Sequence, residues 1–339
     1  LNLLQQYIKE QELTGVILIS PINLHYFAGF TGTTGFAIIT QDKAFMITDF
    51  RYTEQATKQC EGYTVIQYET TVMDTLVDIF NEHHIHEGLF GIEGKQMPVD
   101  TYETLCDTLD ERFKFTSINF AKLRAVKRED ELDLLRKAAK IGDDAFAALL
   151  PQLKVGMTEN EARIILESEM LKRGSEEPSF ATIVASGNRS SMPHGVASDK
   201  VIEAGDFVTF DFGAVYKGYH SDMTRTIVMG PASELQKKLY GIVLEAQKRG
   251  VAAVRAGITG KELDAVCRDY IKEHGYTKEF NHGTGHGVGL EIHEEPVANT
   301  KSDMVFTENM IITVEPGIYI TGTIGLRIED SVIVKSDGY

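Results

Sequence analysis

The 339-residue chain has no tryptophan, only three cysteines, and far fewer basic than acidic side chains. Cys60, Cys106 and Cys267 are widely separated and form no Cys-x-x-Cys pair. That excludes a zinc ribbon and a disulfide framework, and three unframed thiols suit a reducing cytoplasm. No apolar run approaches the ~20 residues that cross a bilayer as a helix. The opening LNLLQQYIKEQELTG has the spacing of an amphipathic helix rather than the layout of a signal peptide. Lys+Arg total 34 against 50 Asp+Glu, a formal charge of −16. Such a chain lacks the basic face of a general nucleic-acid binder and is not drawn to anionic membranes. It does suit a divalent cation. The chain starts without Met and stops at KSDGY, just past a strand pattern, so a short further stretch is expected at each end.

What is present divides into two textures, and the length suggests two domains of ordinary size. Over residues 1–122, short apolar strands alternate with helical patterns. Strands are predicted at Val16–Ser20, Gly35–Thr40, Ala44–Thr48, Tyr63–Tyr68, Leu89–Ile92 and Lys114–Ser117, with helices at Tyr52–Cys60, Val72–His83 and Val99–Leu109. This reads as a mixed α/β domain, with 119–127 as a linker. From residue 123 to 339 the pattern changes to long amphipathic helices, 128–149 and 232–254, each followed by a second helix and then strands. The run Lys127–Asp133 reads as a helix start with exposed charges. His83, His84 and His86 read as a solvated helix end.

The second region repeats itself. Lys154-Val155-Gly156-Met157-Thr158 matches Arg255-Ala256-Gly257-Ile258-Thr259, and Glu161 matches Glu262. Each Thr-x-x-Glu is a capping box. An internal duplication fixes architecture; here it predicts two αα-ββ halves related by a pseudo-twofold, with helices covering a curved, mainly antiparallel sheet. Phe207–Phe212 and Thr224–Met229 form a predicted hairpin with an acid on each arm, Asp211 and Asp222. In the repeat, Gly205–Gly213 aligns with Asn309–Gly317, which makes Glu315 the counterpart of Asp211. Glu329, on the return strand, is the candidate counterpart of Asp222. Four carboxylates gathered near one axis cannot all ionise without compensation, and two divalent cations would supply +4.

Further donors lie in His282-Gly-Thr-Gly-His286-Gly-Val-Gly-Leu-Glu-Ile-His293. Its glycines would let backbone approach the site closely. The run is no dinucleotide loop: no apolar strand precedes it, and the spacing is not Gly-x-Gly-x-x-Gly. Asp211, Asp222, His286, Glu315 and Glu329 form the candidate ligand set. Hard oxygen donors with one imidazole suit Mn²⁺, Co²⁺ or Zn²⁺.

These motifs (Phe-Asp-Phe-Gly…Ser-Asp-Met-Thr-Arg-Thr, His-Gly-Thr-Gly-His-Gly-Val-Gly, Val-Glu-Pro-Gly-Ile-Tyr and Gly-Leu-Arg-Ile-Glu-Asp) resemble those of the pita-bread metallopeptidases, in the Xaa-Pro dipeptidase and Xaa-Pro aminopeptidase subgroup. Asn23–Phe30 and Asp49–Tyr52 resemble that subgroup's N-terminal domain. The resemblance implies an α/β domain at 1–122, a pita-bread catalytic domain at 123–339, two divalent ions, Mn²⁺ first among them, and short proline-containing peptides as substrates. It also implies a homodimer. Asp211 would chelate one ion, Asp222 and Glu329 would bridge the two, and His286 and Glu315 would bind the other. Glu315 would also act as general base and acid. His194 and His293 would act on the scissile region, His282 would line the leaving-group pocket, and Tyr319 would support the site from behind. Arg327 would reach the substrate or anchor the ligands. A metal-free creatinase-like hydrolase and a non-catalytic module are the competing readings on such a fold. Both lose metal-binding acids, whereas all five positions are intact here.

Overall fold

The computed structural model describes all 339 residues, Leu1–Tyr339. They form two compact units, Leu1–Leu123 and Arg124–Tyr339. No helix is long and apolar enough to cross a membrane.

The first unit contains α1 (Asn2–Glu10), β1 (Gly15–Leu18), α2 (Pro21–Ala28), β2 (Phe36–Thr40), β3 (Ala44–Thr48), α3 (Thr53–Gln59), β4 (Thr64–Gln67), α4 (Val72–Glu82), β5 (Gly88–Ile92), α5 (Val99–Thr108) and β6 (Phe113–Ser117). The strands make one mixed sheet in the order β4-β3-β2-β1-β5-β6. Its central strands are buried throughout because alternate residues feed opposite cores. Val16, Leu18, Ala37, Ile39 and Met46 pack with α1, α2 and α3; Ile17, Ile38, Phe45 and Ile47 pack with α4 and α5. Helix α2 is an element that the sequence pattern did not reveal. Ser20 caps it, Pro21 occupies its first turn and Gly29 ends it in a left-handed conformation.

In the second unit, a single turn, α6 (Ala121–Arg124), lies at the junction and leads to α7 (Glu129–Leu149) and α8 (Glu159–Lys172). Then come β7 (Ile183–Ser186), β8 (Phe207–Phe212), the small hairpin β9 (Val215–Tyr216) and β10 (Tyr219–His220), and β11 (Met223–Val228). The second half has α9 (Glu234–Ala253), α10 (Gly260–Glu273), β12 (Gly285–Gly287), β13 (Glu294–Ala298), β14 (Ile311–Val314), β15 (Gly317–Ile320), β16 (Ile324–Arg327) and β17 (Asp330–Ile333). Both capping boxes form: Thr158 and Glu161 bond reciprocally, and so do Thr259 and Glu262. All strand pairs here are antiparallel. They do not make one continuous ladder. β14 pairs with β17 and β15 with β16, and Pro316, which has no N–H to donate, stands between β14 and β15.

Binary patterning sets the faces of the two acid-bearing strands. Val208, Phe210 and Phe212 pack under α7 and α8. Ile312 and Val314 pack under α9 and α10. Thr209 and Asp211, and likewise Thr313 and Glu315, must therefore face the other way. One expectation needs correction: the run beginning at Lys127 is not all exposed. Lys127 and Glu131 are buried, each paired with an opposite charge.

Candidate functional site

The hairpin register places its two acids together. Asp211 pairs with Thr224 across β8 and β11. Asp222 lies two residues before Thr224, so it shares that face. In the second half, Val314 pairs with Asp330, and Glu315 and Glu329 flank that pair. Close backbone contacts deliver His286. A Cβ at Gly285 would lie 1.8 Å from the Thr313 carbonyl oxygen, and one at Gly287 would lie 2.3 Å from that of Glu295. Only glycine allows β12 to lie so tightly against its neighbours. Thr313 Oγ1 accepts from the His286 amide at 2.9 Å, and the Glu315 amide donates to Thr284 O at 2.8 Å.

A cavity of about 490 Å³ is lined by all five candidate ligands and by His194, His282, His293 and Arg327. The ligand atoms of Asp222, His286 and Glu329 lie within 4.8 Å of one another. His286 Nε2 is 3.5 Å from Asp222 Oδ2 and 3.4 Å from Glu315 Oε1. Its Nδ1 faces Gly287 O at 3.0 Å, which sets Nδ1 as the protonated nitrogen and leaves the Nε2 lone pair facing carboxylate oxygens. Asp211 Oδ1 and Glu329 Oε1 are buried with no hydrogen-bond donor. Lone pairs turned toward lone pairs, and orphaned buried carboxylate oxygens, fit a cation between them.

The electrostatics agree. Burial, followed by the charges of Glu329, Asp211 and Glu315, pushes the Asp222 carboxyl well above its ordinary range. Burial and the charges of Glu315 and Asp211 do the same to Glu329. Glu315 is pushed up to about 7, chiefly by burial. Burial lowers His286 and His293, and lowers His282 to about 4 with help from Arg327. Divalent ions held by these acids would displace the protons that burial favours.

Arg327 lines the cavity and also contacts Asp211, one of the candidate ligands. Its guanidinium is buried; Nε donates to Thr224 Oγ1 at 3.0 Å, Nη1 to Tyr319 OH at 2.6 Å and to Pro193 O at 3.3 Å, and Nη2 to Asp211 Oδ2. Tyr319 OH lies 3.2 Å from His282 Nε2. Thr224 went unnoticed in the sequence. It is fully buried and donates to Glu329 Oε2 at 2.7 Å. Its position two residues beyond Asp222 was the available signal.

Two family models match the chain: Metallopeptidase family M24 over residues 133–336 and Creatinase/Prolidase N-terminal domain over 1–126. A relative described as Xaa-Pro dipeptidase, from Pyrococcus furiosus, is 39% identical over 100% of this chain and 95% of its own length. Among solved structures, an Xaa-Pro dipeptidase from Bacillus anthracis superposes with a TM-score of 0.95 at 47% identity, covering 99% of this chain and 94% of the other. An X-Pro aminopeptidase from Thermotoga maritima gives 0.90 at 38% identity, covering 96% and 94%.

Proposed function

Because the chain belongs to metallopeptidase family M24, we propose that it hydrolyses the peptide bond between a residue and a following proline in dipeptides or short peptides. Three buried carboxylates, the part-buried Glu315 and His286 converge on one cavity, with two carboxylate oxygens left without donors, and this is the observation that carries the reading. The family is one of divalent-metal peptidases; two ions, with Mn²⁺ preferred and Co²⁺ or Zn²⁺ also serving, are our assignment. Asp211, Asp222, His286, Glu315 and Glu329 would hold them. Residues 1–122 are assigned as the N-terminal domain and 123–339 as the catalytic one. A cytoplasmic homodimer completes the proposal.

When bound, the ions polarise the scissile carbonyl and lower the pKa of attacking water. The protein's own groups do the rest. Glu315 lines the cavity and can take a proton from the attacking water and return it to the leaving proline nitrogen. Thr313 Oγ1 donates to Glu315 Oε1 at 3.1 Å, leaving Oε2 for that transfer. His194 and His293 line the cavity beside the acids and are assigned to the developing oxyanion and to proton transfer. His282, held neutral, packs against Phe280 and Tyr319 and lines the proline pocket. Apolar walls from Phe180, Ile183, Val196, Ile292 and Val297 suit a proline ring and an apolar neighbour.

The likeness to the Thermotoga maritima X-Pro aminopeptidase supports a second reading, release of the first residue from longer Xaa-Pro peptides. Hydrolysis of an Xaa-Pro dipeptide and an Xaa-Pro-Yaa tripeptide with Mn²⁺, side by side, separates the two. Chelator treatment should abolish both activities and Mn²⁺ should restore them; full activity in metal-free protein would refute the metallopeptidase reading.

A further inference from the structure

One buried carboxylate outside the cavity, that of Glu159, gathers an unusual number of donors. Glu159, at the start of α8, is fully buried. Five donors converge on it. Oε1 accepts from the Ser186 amide at 2.7 Å and from Ser186 Oγ at 2.8 Å. Oε2 accepts from the Ser198 amide at 3.1 Å, from Ser198 Oγ at 2.7 Å, and from Arg189 Nη1. Arg189 also reaches Val196 O through Nη2 at 2.8 Å. Ser186 ends β7 and Ser198 closes the segment that follows, so one carboxylate grips both ends of 187–197. His194 lies within that segment, and its neighbour Pro193 offers its carbonyl to Arg327.

We propose that Glu159 is a positioning residue for His194, a staple that holds the 187–197 segment against the cavity. The role of His194 in turnover rests on the proposed peptidase reading; the staple itself does not. A carboxylate saturated with donors, a guanidinium among them, is a rigid anchor, since a charge-assisted bond is stronger than a neutral one. The corresponding residue in the repeat, Gly260, has no side chain to do this. The second half anchors its histidine segment differently. Asp264 on α10 accepts from the Thr284 amide and hydroxyl and pairs with Arg268, which donates to the carbonyls of Phe280 and His282.

Glu159→Gln and the milder Ser198→Ala test this by two measurements. Amide hydrogen exchange followed by mass spectrometry should rise across 186–198 and stay at wild-type levels in α9 and α10. With Mn²⁺ and an Xaa-Pro dipeptide, kcat should fall by up to ~10²-fold in Glu159→Gln, with KM changed only a few-fold. In a His194→Ala background the same substitution should cost nothing further. If Glu159→Gln fails to fold, Ser198→Ala supports both measurements alone. Unchanged exchange across 186–198, or losses that multiply in the double variant, would overturn the proposal. A wild type that cleaves no Xaa-Pro bond would overturn the peptidase reading instead, and exchange would still decide the staple.

Discussion

Thr224 makes no contact of its own with a scissile bond, yet it fixes two charged groups. Its hydroxyl gives its only proton to Glu329 Oε2 and accepts from Arg327 Nε. Valine has the same shape without the hydroxyl, so Thr224→Val leaves Glu329 with no donor on either oxygen and removes the acceptor of Arg327 Nε. Groups that orient ligands from behind typically account for 10–100-fold in metal affinity. Thr224→Val should therefore weaken Mn²⁺ binding by about 10–100-fold in a calorimetric titration, with secondary structure unchanged. Glu315 makes a different prediction. Glutamine cannot accept and return a proton, so Glu315→Gln should lower kcat by roughly 10²–10⁴-fold at a metal concentration shown to saturate the site. A near-wild-type rate there would remove Glu315 from proton transfer.

At the level of elements, the segment entering α7 is fastened to the loop that bears His293. Lys127 Nζ lies 2.9 Å from Glu294 Oε2, Arg124 pairs with Glu291 and Glu294, and Glu294 Oε1 accepts from the Glu291 amide. Lys127 and Glu294 are each about 1% exposed in their side chains. Without Lys127, Glu294 keeps only Arg124 as a counter-charge, at 3.6 Å, so Lys127→Met should destabilise the protein by about 1–3 kcal/mol in urea unfolding. Replacing Glu294 as well, by Leu, should recover part of the loss. This cluster also shows where sequence reading ends. Strands β8 and β14 were legible because apolar residues alternate with Asp211 or Thr313, and the helices because Thr-x-x-Glu starts them. Lys127 read as a solvated helix start because its partner lies 167 residues away. Helix α2 was missed because its apolar residues fall on more than one side over little more than two turns, so no helical period emerges. Part of what holds it, the buried Glu93 carboxylate accepting from the Ile19 and Ser20 amides, comes from another strand's end. The four candidate carboxylates were visible through the repeat, and His286 through the glycine-rich run that carries it. The donors behind them depend on strand register, which the repeat alone does not specify.

For the whole molecule, the buried acids tie stability to pH and metal together. Asp222, Glu315 and Glu329 all have folded-state pKa values raised, first by burial; Glu315 moves from 4.5 to about 7. A raised acid binds its proton more tightly in the folded state, so its contribution is most favourable below the unfolded pKa and is lost as pH climbs through the folded value. The histidines lining the cavity oppose this. His282, His286 and His293 have lowered pKa values, so the unfolded chain binds their protons better and stability rises with pH until about 6.5, their ordinary value. The unfolded histidines finish losing their protons about one unit above that value, and from there the acids act alone. The Tm of chelator-stripped protein should therefore fall between about pH 7.5 and 8.5. Divalent ions replace the protons rather than add to them, so Mn²⁺ should raise Tm more at the upper end of that window than at the lower. Differential scanning calorimetry at the two pH values, with and without Mn²⁺, measures both slopes. A stripped protein whose Tm rises across the window, or a Mn²⁺ increment that shrinks with pH, would show that these carboxylates are not the groups that exchange protons for metal.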